Sequence, residues 1–343
     1  MLRRVSNPPN PWRETELVYL EEVPETRLEI FEDATRSILS RNDPAVVGFE
    51  FGLNPYRGCQ HACAYCEARR RHELLGFGAG TDFDTKIVVK PRAPELLRRV
   101  FETRSWRGDV IVLSGATDCY QPLEASYRLT RQCLEVCAEY GNPVAIVTKG
   151  ALIERDIDVL VRLTEVARAT VSVSIPLWNP EHARALEPLV ATPQRRIRAI
   201  ERLAEAGIDV GISVAPLIPG LGEEGLFDLL SAAKAAGARR AVASLLRLPR
   251  PVDAIFAERV QATLPLRASR VLGREGAEAY ASTLGAMFLV TCRRLGLAHA
   301  AVGNDRANTP SAGPLESRTF RRPPRAGDQT ELFGVAPAPG QRR

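Results

Sequence analysis

The chain has 343 residues, 45% of them hydrophobic and 25% charged, with a formal net charge of +5. This composition excludes a fibre or a fully disordered chain, and the length suits one large domain with trimmings. No stretch approaches the ~20 uninterrupted apolar residues that a membrane span needs, and no apolar run follows the arginines of MLRRVSNPPNPW, so a cytoplasmic location without a membrane partner is expected.

Residues 1–44 are rich in Pro, Arg and Glu with little periodicity, and are expected to form an N-terminal extension that packs on or wraps the main body. From residue 45 onward, strand-length apolar runs recur: GFEFGL, KIVVK, DVIVLSGA, PVAIVTKG, ATVSVSIP, DVGISVAPLI and RAVASLLRL. Between them, segments such as YRLTRQCLEVCAEYG and TPQRRIRAIERLAEAG repeat apolar residues at three and four positions, which predicts amphipathic helices. Doubly buried strands joined by helical crossovers predict a parallel sheet. About six such units, without the glycine fingerprint of a two-sided dinucleotide-binding sheet, predict an α/β fold: a partial (βα)6 TIM-like barrel. Function should then sit at the C-terminal ends of the strands. Residues 270–297 predict one more helix, and from about Asn304 the composition predicts a disordered tail. The expected organisation is an extension over 1–44, a core over 45–300 and a flexible tail over 301–343.

Seven cysteines, three of them crowded into eight positions, suit a metal site in a reducing compartment better than a disulfide framework. In NPYRGCQHACAYCEARR the thiols of Cys59, Cys63 and Cys66 follow a first strand at C-x3-C-x2-C spacing. One loop can thus bring three thiolates to a single cubane face. Cluster irons are normally held by four thiolates, so three ligands leave one iron open to a substrate or cofactor. A structural zinc knuckle is the alternative; it would need a fourth ligand, and His61 lies inside the loop while His72 lies six residues beyond Cys66. Cys133, Cys137 and Cys292 are expected to be buried small hydrophobes. Basic clusters at 69–71, 195–198, 239–240 and 318–325 fit either a polyanionic partner or solvated helix faces.

The cysteine spacing, with Tyr65 just before the last cysteine and a βα body behind it, resembles the radical SAM (S-adenosylmethionine) superfamily. The runs LSGATDCYQPLE, TKGALIERDIDVL, VSVSI and AGIDVGISVAPLIPG resemble the branch containing spore photoproduct lyase and its DNA-repair-photolyase-like relatives, over roughly residues 45–300. The resemblance implies a 4Fe-4S cluster on Cys59, Cys63 and Cys66, with S-adenosyl-L-methionine closing the open iron. It further implies reductive cleavage of SAM to methionine and a 5'-deoxyadenosyl radical, and an electron donor such as flavodoxin or ferredoxin. Thr117 and Lys149 match SAM-contacting positions, with the lysine offering its charge to the methionine carboxylate. Ser172 or Ser174 would reach the ribose hydroxyls and Tyr65 would lie against the adenine. Asp118 and Glu124 are strand-terminus acids for which loop capping competes with cofactor or substrate binding. Gly115 stands where the lyase has its hydrogen-donating cysteine, which makes Cys119 a candidate replacement donor, although one step along a strand end can point the thiol away. Glu67 replaces the aromatic residue that follows the third cysteine in the lyase.

The tail sequence Gln329-Thr330-Glu331-Leu332-Phe333 looks like the short peptide by which bacterial repair and replication proteins dock onto the sliding clamp. The alternative is that Leu332 and Phe333 fold back on the body. Three functions are therefore expected to compete: a radical SAM enzyme that repairs or modifies DNA; one acting on a protein, RNA or small metabolite; and a non-catalytic iron-sulfur adaptor on the clamp.

Overall fold

Six apolar runs become consecutive parallel strands: β1 (Phe51–Leu53), β2 (Ile111–Leu113), β3 (Val144–Thr148), β4 (Ala169–Ser174), β5 (Asp209–Leu217) and β6 (Arg240–Leu245). The structure is a computed structural model describing residues 2–5, 28–44, 48–113, 115–273, 277–300, 302 and 319–323. Beyond β6 lies a short parallel strand, Ala298–His299, and beside β1 an antiparallel one, Leu39–Arg41. The strand order runs from one edge to the other without closing, so the barrel is partial.

The strands are buried for the reason the sequence suggests: each has helices on one side and the barrel interior on the other. In β4 every residue is buried, with Val171 and Val173 in the main core while the alternate Thr170, Ser172 and Ser174 take the opposite face. Helices Leu129–Tyr140, Ile157–Val166, Pro193–Glu205 and Leu226–Ala235 are the crossovers. Pro193–Glu205 shows how the sequence specifies one. The Thr192 hydroxyl accepts from Arg195 N, proline occupies the first turn, and Pro193, Arg196, Ala199, Ile200 and Leu203 form its buried stripe. Ile200 and Leu203 are fully buried, each contributing about 2 kcal/mol.

KIVVK departs from expectation. Lys86–Val89 joins a second sheet of order Leu2–Val5, Glu29–Asp33, Lys86–Val89, Tyr56–Arg57. Only short turns of 3-10 helix and the five-residue helix Thr81–Thr85 separate it from the cysteine loop. A parallel barrel neighbour needs a full crossover, which that segment cannot supply. The extension contributes Glu29–Asp33 to this sheet and Leu39–Arg41 to the barrel edge. The helix expected over 270–297 is found as Ala268–Leu272 and Ala277–Leu295.

The expectation of a free tail is corrected at residues 319–323. Phe320 stands 5.6 Å from the Phe101 ring and 6.2 Å from that of Tyr140, Arg321 N donates to Tyr140 O at 2.9 Å, and Arg322 Nε donates to Phe101 O at 2.9 Å. A large aromatic gains by leaving water wherever a groove between helix ends admits it. Those ends precede β2 and β3, so this clasp lies at the floor of the barrel. The peptide containing Gln329, Leu332 and Phe333 lies outside the described residues. Among the described residues, no helix is long and apolar enough to cross a membrane.

Candidate active site

At the C-terminal ends of the strands a cavity of about 320 Å³ is lined by Cys59, Cys63 and Cys66, and by Tyr65, Thr117, Asp118, Lys149 and Ser174. The cysteine loop leaves the Tyr56–Arg57 strand through Gly58 at φ +76°, where a Cβ would meet the carbonyl oxygens of Phe83 and Lys86 at 3.0 Å. Ala62 is also left-handed, at φ +55°, a conformation that costs an L-residue about 1 kcal/mol and persists only where the surroundings impose it. They do so here. Cys59 N donates to Phe83 O and Ala64 N to Leu186 O, both at 2.9 Å. Arg69, 1% exposed, donates from Nε to Cys63 O, from Nη1 to Ala79 O and Gly80 O, and from Nη2 to Asp84.

The run TDCYQPLE locks this loop to the barrel. Thr117 Oγ1 donates to Tyr56 O; Gln121 donates to Gly58 O and accepts from Gln60 N. Glu124 is wholly buried and accepts from Tyr56 Oη, Thr130 N and Arg155. Of the two acids, Glu124 is thus a packing hub. Asp118 lines the cavity, but its oxygens are taken by Thr148 Oγ1 (2.6 Å), Tyr120 N (2.9 Å) and Lys149 N (2.7 Å), with His61 Nδ1 at 3.4 Å. Burial alone would raise its pKa; His61 and these donors instead hold it at about 2. Asp118 is therefore a permanent anion that positions the end of β3.

Lys149 projects from that end. Its Nζ donates to Ser174 Oγ at 2.6 Å, lies 3.6 Å from Glu187 Oε1, and sits 5.6 Å from the Tyr65 ring centre. Glu187, buried, also accepts from Tyr65 Oη and from Arg196 Nη2, while Arg196 Nη1 donates to Ser174 O. Burial opposes its ionisation, but Arg196 and Lys149 hold its carboxyl below the usual range. Two cations share one anion, which leaves one positive charge beside the cavity, suited to a carboxylate.

The donor set fits a cluster. None of the seven cysteines is in a disulfide. Among the described residues, no three His, Cys, Asp or Glu side chains converge where a single ion could sit. Zinc requires that convergence, whereas a cubane takes each thiolate on a separate iron. Burial pushes the Cys63 thiol well up and the Cys66 thiol to about 11, so deprotonation awaits a cation that replaces the proton.

Two expected site residues are placed elsewhere. Cys119 is 1% exposed within the main hydrophobic core and does not line the cavity, a placement that speaks against it as the hydrogen donor. Ser172 lies two residues below Ser174 on β4, its buried Oγ without a protein partner, and is not part of the cavity wall. The basic clusters are corrected too. Arg69, Arg196 and Arg240 are buried, and Arg322 belongs to the floor clasp, whereas Arg70, Arg71, Arg198 and Arg239 are exposed. Glu187, Arg196, Gln121 and Arg69 were not singled out as site residues: Arg69 and Arg196 were read only as members of basic clusters, Gln121 only as part of a quoted run, and Glu187 only within the Glu-, Pro- and Arg-rich stretch after β4.

A partial parallel barrel with three free thiols in one loop at its C-terminal rim defines a class of iron-sulfur enzyme. The sequence profile of the radical SAM superfamily matches residues 53–233, and the chain belongs to that superfamily. Its cofactors are accordingly a 4Fe-4S cluster and S-adenosylmethionine. A Mycobacterium tuberculosis protein, described only as uncharacterized, is 40% identical over 196 residues, 57% of this chain and 58% of the relative. A Methanocaldococcus jannaschii protein, likewise uncharacterized, is 29% identical over 180 residues, 52% of this chain and 65% of the relative. The chain thus spans about three fifths of the length of these relatives. Among solved structures, spore photoproduct lyase complexed with dinucleoside spore photoproduct aligns at TM-score 0.57 and 16% identity, over 79% of this chain and 81% of that one. A variant of that lyase with bound AdoMet and the same dinucleoside gives TM-score 0.57, 16% identity, and 79% and 80% coverage. At such identity the likeness is one of fold.

Proposed function

We propose that this radical SAM enzyme acts on nucleic acid, repairing or modifying a base in DNA. The observation that carries the proposal is a single cavity faced by the three thiols and by two arginines, Arg71 and Arg247. Cations at the mouth draw in a phosphate backbone irrespective of sequence. The dinucleoside bound to the lyase structures supports the same substrate class.

When bound, the cluster and SAM supply a one-electron cleavage that yields methionine and a 5'-deoxyadenosyl radical, which takes a hydrogen atom from substrate. The chain does the rest. Cys59, Cys63 and Cys66 would hold three irons, and the Asp118–Gln121 clamp keeps their loop in register. Lys149, with protons left after its bond to Ser174, would bind the methionine carboxylate. Thr117 and Ser174 line the cofactor's space, and Tyr65, fixed by Glu187, closes it against water. Seven cysteines without a disulfide fit a reducing compartment, and we place the enzyme in the cytoplasm, with flavodoxin or ferredoxin as electron donor.

The test is isotopic. Anaerobically reconstituted enzyme is given deuterated DNA, RNA or peptide; label should enter 5'-deoxyadenosine from DNA. Label from RNA or peptide alone would overturn the DNA assignment, and iron binding with no 5'-deoxyadenosine under any condition would overturn the enzymatic one. One observation favours a protein or metabolite substrate instead: Arg69, Arg196 and Arg240 are buried and serve the fold, which reduces the basic surface open to a polyanion. We further propose that the peptide of Gln329, Leu332 and Phe333 docks on the sliding clamp, which a pull-down with purified clamp would check.

A further inference from the structure

One wall of the cavity is formed by residues with no part in holding the cofactors. Phe49, just before β1, is partly exposed and its ring lines the cavity. Glycines on two neighbouring strands make room for it. A Cβ on Gly52 of β1 would stand 3.2 Å from Phe49 Cε2, and one on Gly115, just past β2, 3.2 Å from Cζ. Either methyl would be tighter than ordinary contact, so a side chain at either position would push the ring aside by a few tenths of an ångström.

Asn54 flanks the same point. Its Oδ1 accepts from Gly115 N and Ala116 N, each at 3.2 Å, which fixes the amide plane. Its Nδ2 makes no hydrogen bond among the described residues, and the side chain lines the cavity. A partly exposed aromatic ring and an oriented amide donor therefore line the same cavity as Lys149 and Tyr65.

We propose that Phe49 and Asn54 form the substrate subsite, with a planar heterocycle stacking on the Phe49 ring and an acceptor atom of that heterocycle bonded to the Asn54 amide. The inference rests on the nucleic-acid proposal and specifies it: the recognised group is an unpaired base, since the face and edge it offers are both hidden in a stacked duplex. The subsite sets which base is presented and takes no part in the hydrogen transfer.

The experiment uses reconstituted enzyme with SAM and a fluorescein-labelled eight-residue oligothymidine, with Kd read by anisotropy over a range of salt. Phe49→Leu keeps apolar bulk and lacks the ring; it should weaken binding about tenfold, with Phe49→Tyr near wild type. The salt slope should not change, because no phosphate contact is removed. Asn54→Asp keeps the acceptor that holds Gly115 and deletes the donor, and should also weaken binding. If Phe49→Leu and Asn54→Asp bind as the wild type does, the subsite is overturned while the nucleic-acid proposal stands. If the wild-type enzyme binds no oligonucleotide, the nucleic-acid proposal falls and the subsite with it. Thermal melting of each variant separates a binding loss from a folding loss, and a melted Phe49→Leu leaves Asn54→Asp to decide.

Discussion

Lys149 illustrates how a single side chain is tuned by neighbours that sequence spacing does not reveal. Ser174 fixes one of its three donor directions and Glu187, 3.6 Å away, pairs with its charge. Lys149→Met should leave iron content unchanged and raise the KM for SAM about 10- to 100-fold, the worth of one charged hydrogen bond. The cysteines divide in the same concrete way. Cys63→Ser should lower the iron retained after anaerobic reconstitution, measured per chain. Cys119→Ala, in the core and away from the cavity, should retain both iron and 5'-deoxyadenosine formation. The three ligands were legible because one short loop carries them at fixed spacing. The place of Cys119 was not legible, because facing depends on a single step of backbone. Glu187 was illegible because its partner Tyr65 lies far away in sequence and only the fold brings the two together, and Arg196 because its role is to pair with that same buried carboxylate.

At the scale of elements, the barrel was legible because doubly buried strands and amphipathic crossovers leave periodic patterns. The second sheet was not: KIVVK has the same pattern whichever sheet receives it. The residue closing that run has a measurable consequence. Lys90 is 8% exposed, and burial together with the Arg57 charge lowers its pKa from 10.5 to about 8. Its folded pKa lies below its unfolded one, so unfolding takes up a proton between those values. The cost is fully present below pH 8 and fades as pH rises toward 10.5. Lys90→Met should therefore stabilise the protein at pH 7 by about 2 kcal/mol, and by less at pH 10, as read from urea unfolding at both pH values.

For the whole molecule, the floor clasp and the cavity occupy opposite ends of the barrel. Truncation after residue 318 should uncover the rings of Phe101 and Tyr140 and cost about 2 kcal/mol, visible as a lower Tm. The clasp was illegible because a lone Phe in an Arg- and Pro-rich run carries no periodicity. The four arginine runs bear on how substrate binding can be dissected. Neutralising residues 195–198 together would strip Glu187 of Arg196, and neutralising 239–240 would strip Asp209 of Arg240. Lost affinity in such block variants would report collapse of the scaffold. Single replacements at Arg70, Arg198 and Arg239, whose side chains reach only solvent, are the ones through which long-range attraction of a polyanion can be measured separately from folding.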